Sequence, residues 1–249
     1  MEIKSFNDSE AQFIASEIIL KRLNLDVKNK SIRLSYSLRL KRTLRSIESL
    51  EKTWKYLPET QNPSFGQKVS HELIGFWSVP SMSAKVLAYL ALYTDSKRVL
   101  ELGTSAGYST LHMANSMRYT GGKVYTIESL DVKSKLAKEN FKQAGLEGVI
   151  KLLDGDASSM LSDWKEDKID FVFLDADKEN YGKYLDQLIP LMSQNGIIVA
   201  DNINDYGHLM EDYLQKVSGT HLPKSRCDPR VISTYVAQLD NGLMITKKI

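Results

Sequence analysis

The apolar positions of this chain change their period part-way along. Up to about residue 92 they recur at spacings of three and four, which predicts helices. The first is capped by Asp8 or Ser9 and runs to about Leu23, with Phe13, Ile14, Ile18 and Ile19 along one side. The second covers Ser35 to Leu57, with Leu40, Leu44, Ile47, Leu50, Trp54 and Leu57 in its stripe. A loop around Pro58 and Pro63 follows, then an apolar segment ending near Trp77, and Ser81 or Ser83 starts a third helix through Leu92. From Arg98 onward, short runs of strand type alternate with amphipathic stretches. Strands are predicted at Arg98 to Leu102, Lys123 to Glu128, Val149 to Leu153, Ile169 to Leu174 and Gly196 to Ala200. That rhythm predicts parallel βαβ units with helices on both faces of one sheet. The ending differs, because Ser233 to Leu239 and Leu243 to Lys247 flank Asp240, Asn241 and Gly242, a turn signal for an antiparallel hairpin. The expected architecture is α/β, a domain of residues 63–249 behind a helical extension of residues 1–62, whose stripes bury against that domain or a second subunit.

Composition narrows the class. In 249 residues, 42% hydrophobic and 26% charged, no apolar run approaches the roughly 20 residues of a bilayer span. The polar opening MEIKSFNDSE does not read as a signal peptide. A single cysteine, Cys227, excludes an intrachain disulfide and a Cys-rich zinc site, which fits a cytoplasmic protein with no membrane partner. The net charge of +2 is uneven: residues 1–57 hold 12 Lys+Arg against 7 Asp+Glu, and the remainder carries a net −3. A basic extension suits nucleic acid or an acidic partner, but without interleaved aromatics a solvated helical face is the better reading.

The chemistry gathers at strand ends, where an open parallel sheet binds its ligands. In VLELGTSAGYST, Val99 to Thr110, the chain turns through Gly103 and Gly107 with Ser105 between them and Glu101 ahead. A dinucleotide fold asks for GxGxxG. A carboxylate two residues before the glycine is a poor neighbour for a pyrophosphate and a good one for an ammonium, so the loop suits S-adenosylmethionine. Glu128, 25 residues beyond Gly103, is placed to accept both ribose hydroxyls, and Asp156 in LLDGDA to accept from the adenine amino group.

A second constellation lies further along. FVFLDADKENY ends a strand in Asp175, Asp177 and Lys178, and IIVADN ends the next in Asp201 and Asn202. Adjacent parallel strands bring Asp175, Asp201 and Asn202 together, and hard oxygen ligands suit Mg²⁺, Mn²⁺ or Ca²⁺. The four histidines form no spaced pair, so zinc is not expected. A divalent ion disfavours a charged ammonium beside it, which suits Lys178 to work as a base.

With LELGTSAGYST, DADKENY and ADN in hand, the sequence from about Ser81 onward resembles the cation-dependent class I O-methyltransferases, the catechol and caffeoyl-coenzyme A group. The resemblance implies a Rossmann-like, mostly parallel seven-stranded sheet closed by an antiparallel C-terminal hairpin. It implies cofactor contacts at Glu101, Gly103, Ser105, Gly107, Ser109, Glu128, Asp156, Ala157 and Asp175. It further implies a divalent cation, Mg²⁺ foremost, on Asp175, Asp201 and Asn202, with Lys178 as base beside Asp175, and a homodimer. The chain departs from the family where Ala84 and Lys85 replace a usual Gly-Gln and where INDYGHLMEDY follows ADN, both regions that shape the acceptor pocket. The expected acceptor is a vicinal dihydroxy-aromatic small molecule. A hydroxylated uridine in transfer RNA ranks second, and a non-catalytic S-adenosylmethionine-binding scaffold third.

Overall fold

The computed structural model describes residues 8–53, 61–62, 67–68, 76–218, 228–237, 239 and 241–249. The sequence expectations for Trp54, Leu57, Pro58, Pro63, Cys227, Asp240, His71 and His221 lie outside these residues. Seven strands form one sheet: β1 (Arg98–Leu102), β2 (Lys123–Glu128), β3 (Ile150–Asp154), β4 (Ile169–Leu174), β5 (Met192–Ala200), β6 (Val231–Val236) and β7 (Leu243–Lys248). Their order is β3-β2-β1-β4-β5-β7-β6. The first five are parallel, and β7 inserts antiparallel between β5 and β6. The strand order reverses between β1 and β4, so their carboxyl ends flank the crevice where such sheets bind ligands.

Alternation along the strands sends side chains into two cores. Val99, Phe171, Phe173, Ile197 and Val199 join one, and Leu100, Leu102, Val172, Leu174 and Ile198 the other. Helix α3 (Ser81–Tyr93) is buried on nearly every side because the N-terminal helices cover its outer face. Those are α1 (Asp8–Phe13) and the π-helical stretch Ile14–Leu20 that continues it, while α2 (Leu38–Thr53) packs on the helices Tyr108–Thr120 and Asp131–Ala144. Ile19, Leu20, Leu40 and Ile47 are each at most 1% exposed. Fully burying an aliphatic chain of this size contributes about 1.5–3 kcal/mol, so the extension is packed into the main core.

Several boundaries differ from the sequence expectation. The first helix widens to π-helical hydrogen bonding at Ile14–Leu20 and stays helical through Arg22, close to its expected end. The described part of the second begins at Leu38, where the Ser37 hydroxyl accepts from the Leu40 amide at 3.1 Å. Strand β5 reaches back to Met192, because the extended backbone continues past a bulge opposite Ile169 and Phe171. Strand β6 runs from Val231 to Val236, two residues earlier than its sequence signal starts. No helix among the described residues is long and apolar enough to cross a membrane.

Candidate active site

The loops that leave the carboxyl ends of β1, β3, β4 and β5 are each hydrogen-bonded to a neighbour strand. The Gly103 amide donates to Ile127 O (3.0 Å), Asp175 N to Leu102 O (2.9 Å), Gly155 N to Glu128 O (2.9 Å) and Asp201 N to Leu174 O (3.1 Å). These loops surround a cavity of about 890 Å³, whose walls include Gly103, Ser105, Ser109, Glu128, Asp156, Ala157, Asp175, Lys178 and Asn202.

In the first loop Gly103 (φ +96) and Gly107 (φ +86) are left-handed, and Gly107 caps α4 (Tyr108–Thr120). Glu128 holds the loop from the side. One carboxylate oxygen accepts from Ser105 N at 2.8 Å, the other from Leu130 N at 2.9 Å, and the residue still lines the cavity. Asp156 caps α6 (Ala157–Ser162) through its Oδ1, which accepts from the amide and hydroxyl of Ser159, both at 2.9 Å.

Glu101 departs from its expected place against a ligand ammonium. It is 0% exposed and lies beneath the loop, where its carboxylate accepts hydroxyl bonds from Ser109 (2.5 Å), Thr126 (2.6 Å) and Thr110. It therefore orders the loop that lines the cavity. Burial pushes its carboxyl up to about 7 against the pull of the three hydroxyls. A raised folded value means that the native state holds this proton more tightly than the unfolded chain does. The stabilisation is fully present below pH 4.5 and is lost as pH rises through about 7. Unfolding titrations should show wild type losing up to about 3 kcal/mol relative to Glu101→Gln across that window. A difference that stays constant with pH would overturn the assignment.

The second constellation assembles at the ends of β4 and β5, where Leu174 pairs with Ala200 and the next residues are Asp175 and Asp201. Lys178 Nζ donates to Asp175 Oδ1 at 2.6 Å and to the Tyr181 hydroxyl at 3.0 Å, and that hydroxyl donates to Leu174 O at 2.9 Å. Asp201 is 1% exposed, and its carboxylate oxygens make no hydrogen bond of good geometry among the described residues, although the Asn202 backbone and the Asn241 side chain approach closely enough to pull its pKa down. Burial, then the charge of Asp175, pushes its carboxyl up to about 7. Asn202 adopts a left-handed backbone (φ +66) and opens a short helix, α8 (Ile203–Tyr206). The β6–β7 turn closes on this loop, with Ile203 N donating to Gly242 O at 3.2 Å and Asn204 N to Asn241 O at 2.9 Å. No group of three His, Cys, Asp or Glu side chains suited to a metal occurs among the described residues, so any cation here also takes the Asn202 amide or ligand oxygens.

The O-methyltransferase family model matches residues 65–249. This chain belongs to the O-methyltransferase family. Among curated relatives of this family member, a catechol O-methyltransferase from Niastella koreensis is 33% identical over 138 residues, 54% of this chain and 62% of that protein. A catechol O-methyltransferase from Mycobacterium tuberculosis is 32% identical over 135 residues, 54% of this chain and 61% of that protein. The chain thus spans about three fifths of the length of these relatives. A flavonoid 3',5'-methyltransferase from Vitis vinifera matches more of both, 28% identical over 195 residues, 72% of this chain and 82% of that protein. The fold agrees with that of a Bacillus cereus O-methyltransferase solved with SAH (TM-score 0.64, 20% identity, 88% of this chain and 94% of the other).

Sequence reasoning missed a brace from the N-terminal extension to this site in the O-methyltransferase. The hydroxyl of Tyr108, a cavity residue, donates to Glu48 Oε1 on α2 at 2.7 Å, and Ser78 N donates to Glu51 Oε1 at 2.8 Å. His112 sits behind Tyr108 with ring centroids 5.1 Å apart, and the Tyr36 hydroxyl lies 2.9 Å from its Nδ1. Burial depresses the His112 pKa to about 3, so it is neutral at physiological pH. No spacing in the chain links Glu48 to Tyr108, 60 residues apart.

Proposed function

We propose that this chain transfers a methyl group from S-adenosylmethionine to one oxygen of a vicinal dihydroxy-aromatic small molecule, with a divalent cation held by Asp175, Asp201 and Asn202. The observation that carries the reading is Asp201, a buried carboxylate with no hydrogen bond of good geometry among the described residues, next to a second carboxylate at a strand end. Two acids at adjoining strand ends, with Lys178 as the single ammonium between them among the described residues, fit a cation, and hard oxygen donors fit Mg²⁺ or Mn²⁺. A bound cation would act as a Lewis acid on the acceptor oxygens.

The residues of the chain divide the remaining work. Gly103 lets the backbone approach the donor, Glu128 presents carboxylate oxygens for the ribose hydroxyls, and the Asp156–Ala157 turn faces the adenine side. Ser105 and Ser109 line the methionine side, on a loop held from below by Glu101 and Gly107. Lys178 takes the proton of the reacting hydroxyl at Nζ. To do so it must leave its ion pair with Asp175 and give up its own proton first. Trp77, Tyr184 and Tyr206 supply the aromatic part of the cavity wall against which a flat acceptor packs. The rest is positioning, since a methyl group moves only when donor and acceptor atoms are held in line.

The relatives' names, catechol and flavonoid methyltransferases among them, support this acceptor class. Part of the basic charge of the extension already has partners at the surface: Arg39 donates to the carbonyls of Lys142 and Gln143 (2.8 and 3.1 Å), and Lys30 pairs with Glu17 (2.9 Å). That weighs against transfer RNA as the acceptor. With catechol and S-adenosylmethionine, product is expected in Mg²⁺ and none in excess chelator, while S-adenosylhomocysteine binding survives the chelator. Undiminished turnover in chelator would overturn the metal-assisted reading.

A further inference from the structure

The walls of the cavity carry the carboxyl groups of Glu128, Asp156, Asp175, Asp177 and Asp205, and only two ammonium groups among the described residues. Lys178 is committed to Asp175. The other is Lys133, on the first turn of α5 (Asp131–Ala144), which is 6% exposed. Its Nζ lies 4.8 Å from the centroid of the Trp77 ring and makes no hydrogen bond or ion pair to any described residue. Burial lowers its pKa while Glu128 and Asp175 pull the other way.

Trp77 is itself unusual. It is 69% exposed, lines the cavity, and has a left-handed backbone (φ +47) that an aromatic residue seldom adopts. The segment around it is fixed on both sides, since the Ser105 hydroxyl donates to Phe76 O at 2.5 Å and Ser78 N donates to Glu51. The indole is thus held over the lysine, and the ammonium is desolvated, oriented and short of an acceptor. A buried cation in that state gains by a charge-assisted hydrogen bond.

Of the other donors nearby, the buried Ser78 hydroxyl has no partner among the described residues, and two more are occupied. The Ser105 amide is given to Glu128 and the Ser109 hydroxyl to Glu101. S-adenosylmethionine carries one carboxylate, on its amino-acid end, and that group needs a cation in a cavity otherwise rich in acids. We propose that the Lys133 ammonium, clamped on the face of Trp77, binds the α-carboxylate of the donor. This assignment rests on the S-adenosylmethionine reading of the cavity.

Two ligands separate the halves of the donor: S-adenosylhomocysteine has the amino-acid end, and 5'-methylthioadenosine lacks it. By calorimetry, Lys133→Met should weaken S-adenosylhomocysteine about tenfold or more and leave 5'-methylthioadenosine unchanged, the latter showing that the pocket is intact. Equal loss for both ligands, or no loss for either, would overturn the Lys133 assignment while leaving the donor site standing. If wild type bound neither ligand, the donor reading itself would fall, and the assignment with it.

Discussion

Asp201→Asn should make the metal-free protein more stable and all but inactive. At pH 8 the wild-type carboxylate is charged and buried beside the charge of Asp175, with no hydrogen bond of good geometry among the described residues. An amide of the same shape removes that uncompensated charge and is expected to raise stability by about 2 kcal/mol or more, several degrees in Tm for a domain of this size. On the metal-assisted proposal, methyl transfer should fall at least about 100-fold, because a cation held there would lose one of its two anionic ligands. Thermal melts with and without Mn²⁺ separate the two effects: added Mn²⁺ should raise the Tm of wild type and leave that of Asp201→Asn unmoved. A variant that melts lower than wild type without metal, or that keeps its activity, would show that Asp201 serves the fold alone.

Gly103→Ala should lose both the fold's stability and the donor. Its φ of +96° strains any side chain, and a Cβ there would overlap the backbone carbonyl of Asp175, which is fixed at the end of β4 and cannot swing away. Together these cost about 3–5 kcal/mol, visible as a drop of roughly 10 °C in Tm and a loss of S-adenosylhomocysteine binding. Gly121→Ala provides the comparison, since φ is +73° but a Cβ would meet nothing within 4 Å. Its cost should stay near 1 kcal/mol. Similar losses for both variants would mean that contact with Asp175 contributes nothing.

The parts of this fold that were legible in the sequence are those in which local pattern and tertiary position coincide. A buried parallel strand must end in a turn, and the acids, glycines and amides at that point are adjacent in sequence, so Gly103, Glu128, Asp175 and Asn202 could be placed before any coordinates. The hairpin around Gly242 was readable for the same reason. What escaped was set by contacts between distant segments. Glu101 was expected at the cavity, yet the hydroxyls of Ser109, Thr110 and Thr126 claim it from beneath. Lys133 reads as one more lysine on an amphipathic helix until Trp77, 56 positions earlier, is seen lying over it. The π-helical widening at Ile14–Leu20 leaves the apolar spacing almost unaltered, so periodicity does not report it.

The left-handed backbone at Asn202 restricts how the chain can change at this position over evolutionary time. Among side chains, asparagine, aspartate and histidine tolerate φ near +66° better than glutamine or glutamate, and glycine tolerates it with no side chain to offer. A single substitution that keeps both the turn and an oxygen donor is therefore confined to aspartate, which would add a third negative charge to the Asp175–Asp201 pair. Histidine, which the same backbone accommodates, would exchange that oxygen for a nitrogen and turn the proposed cation site toward softer metals.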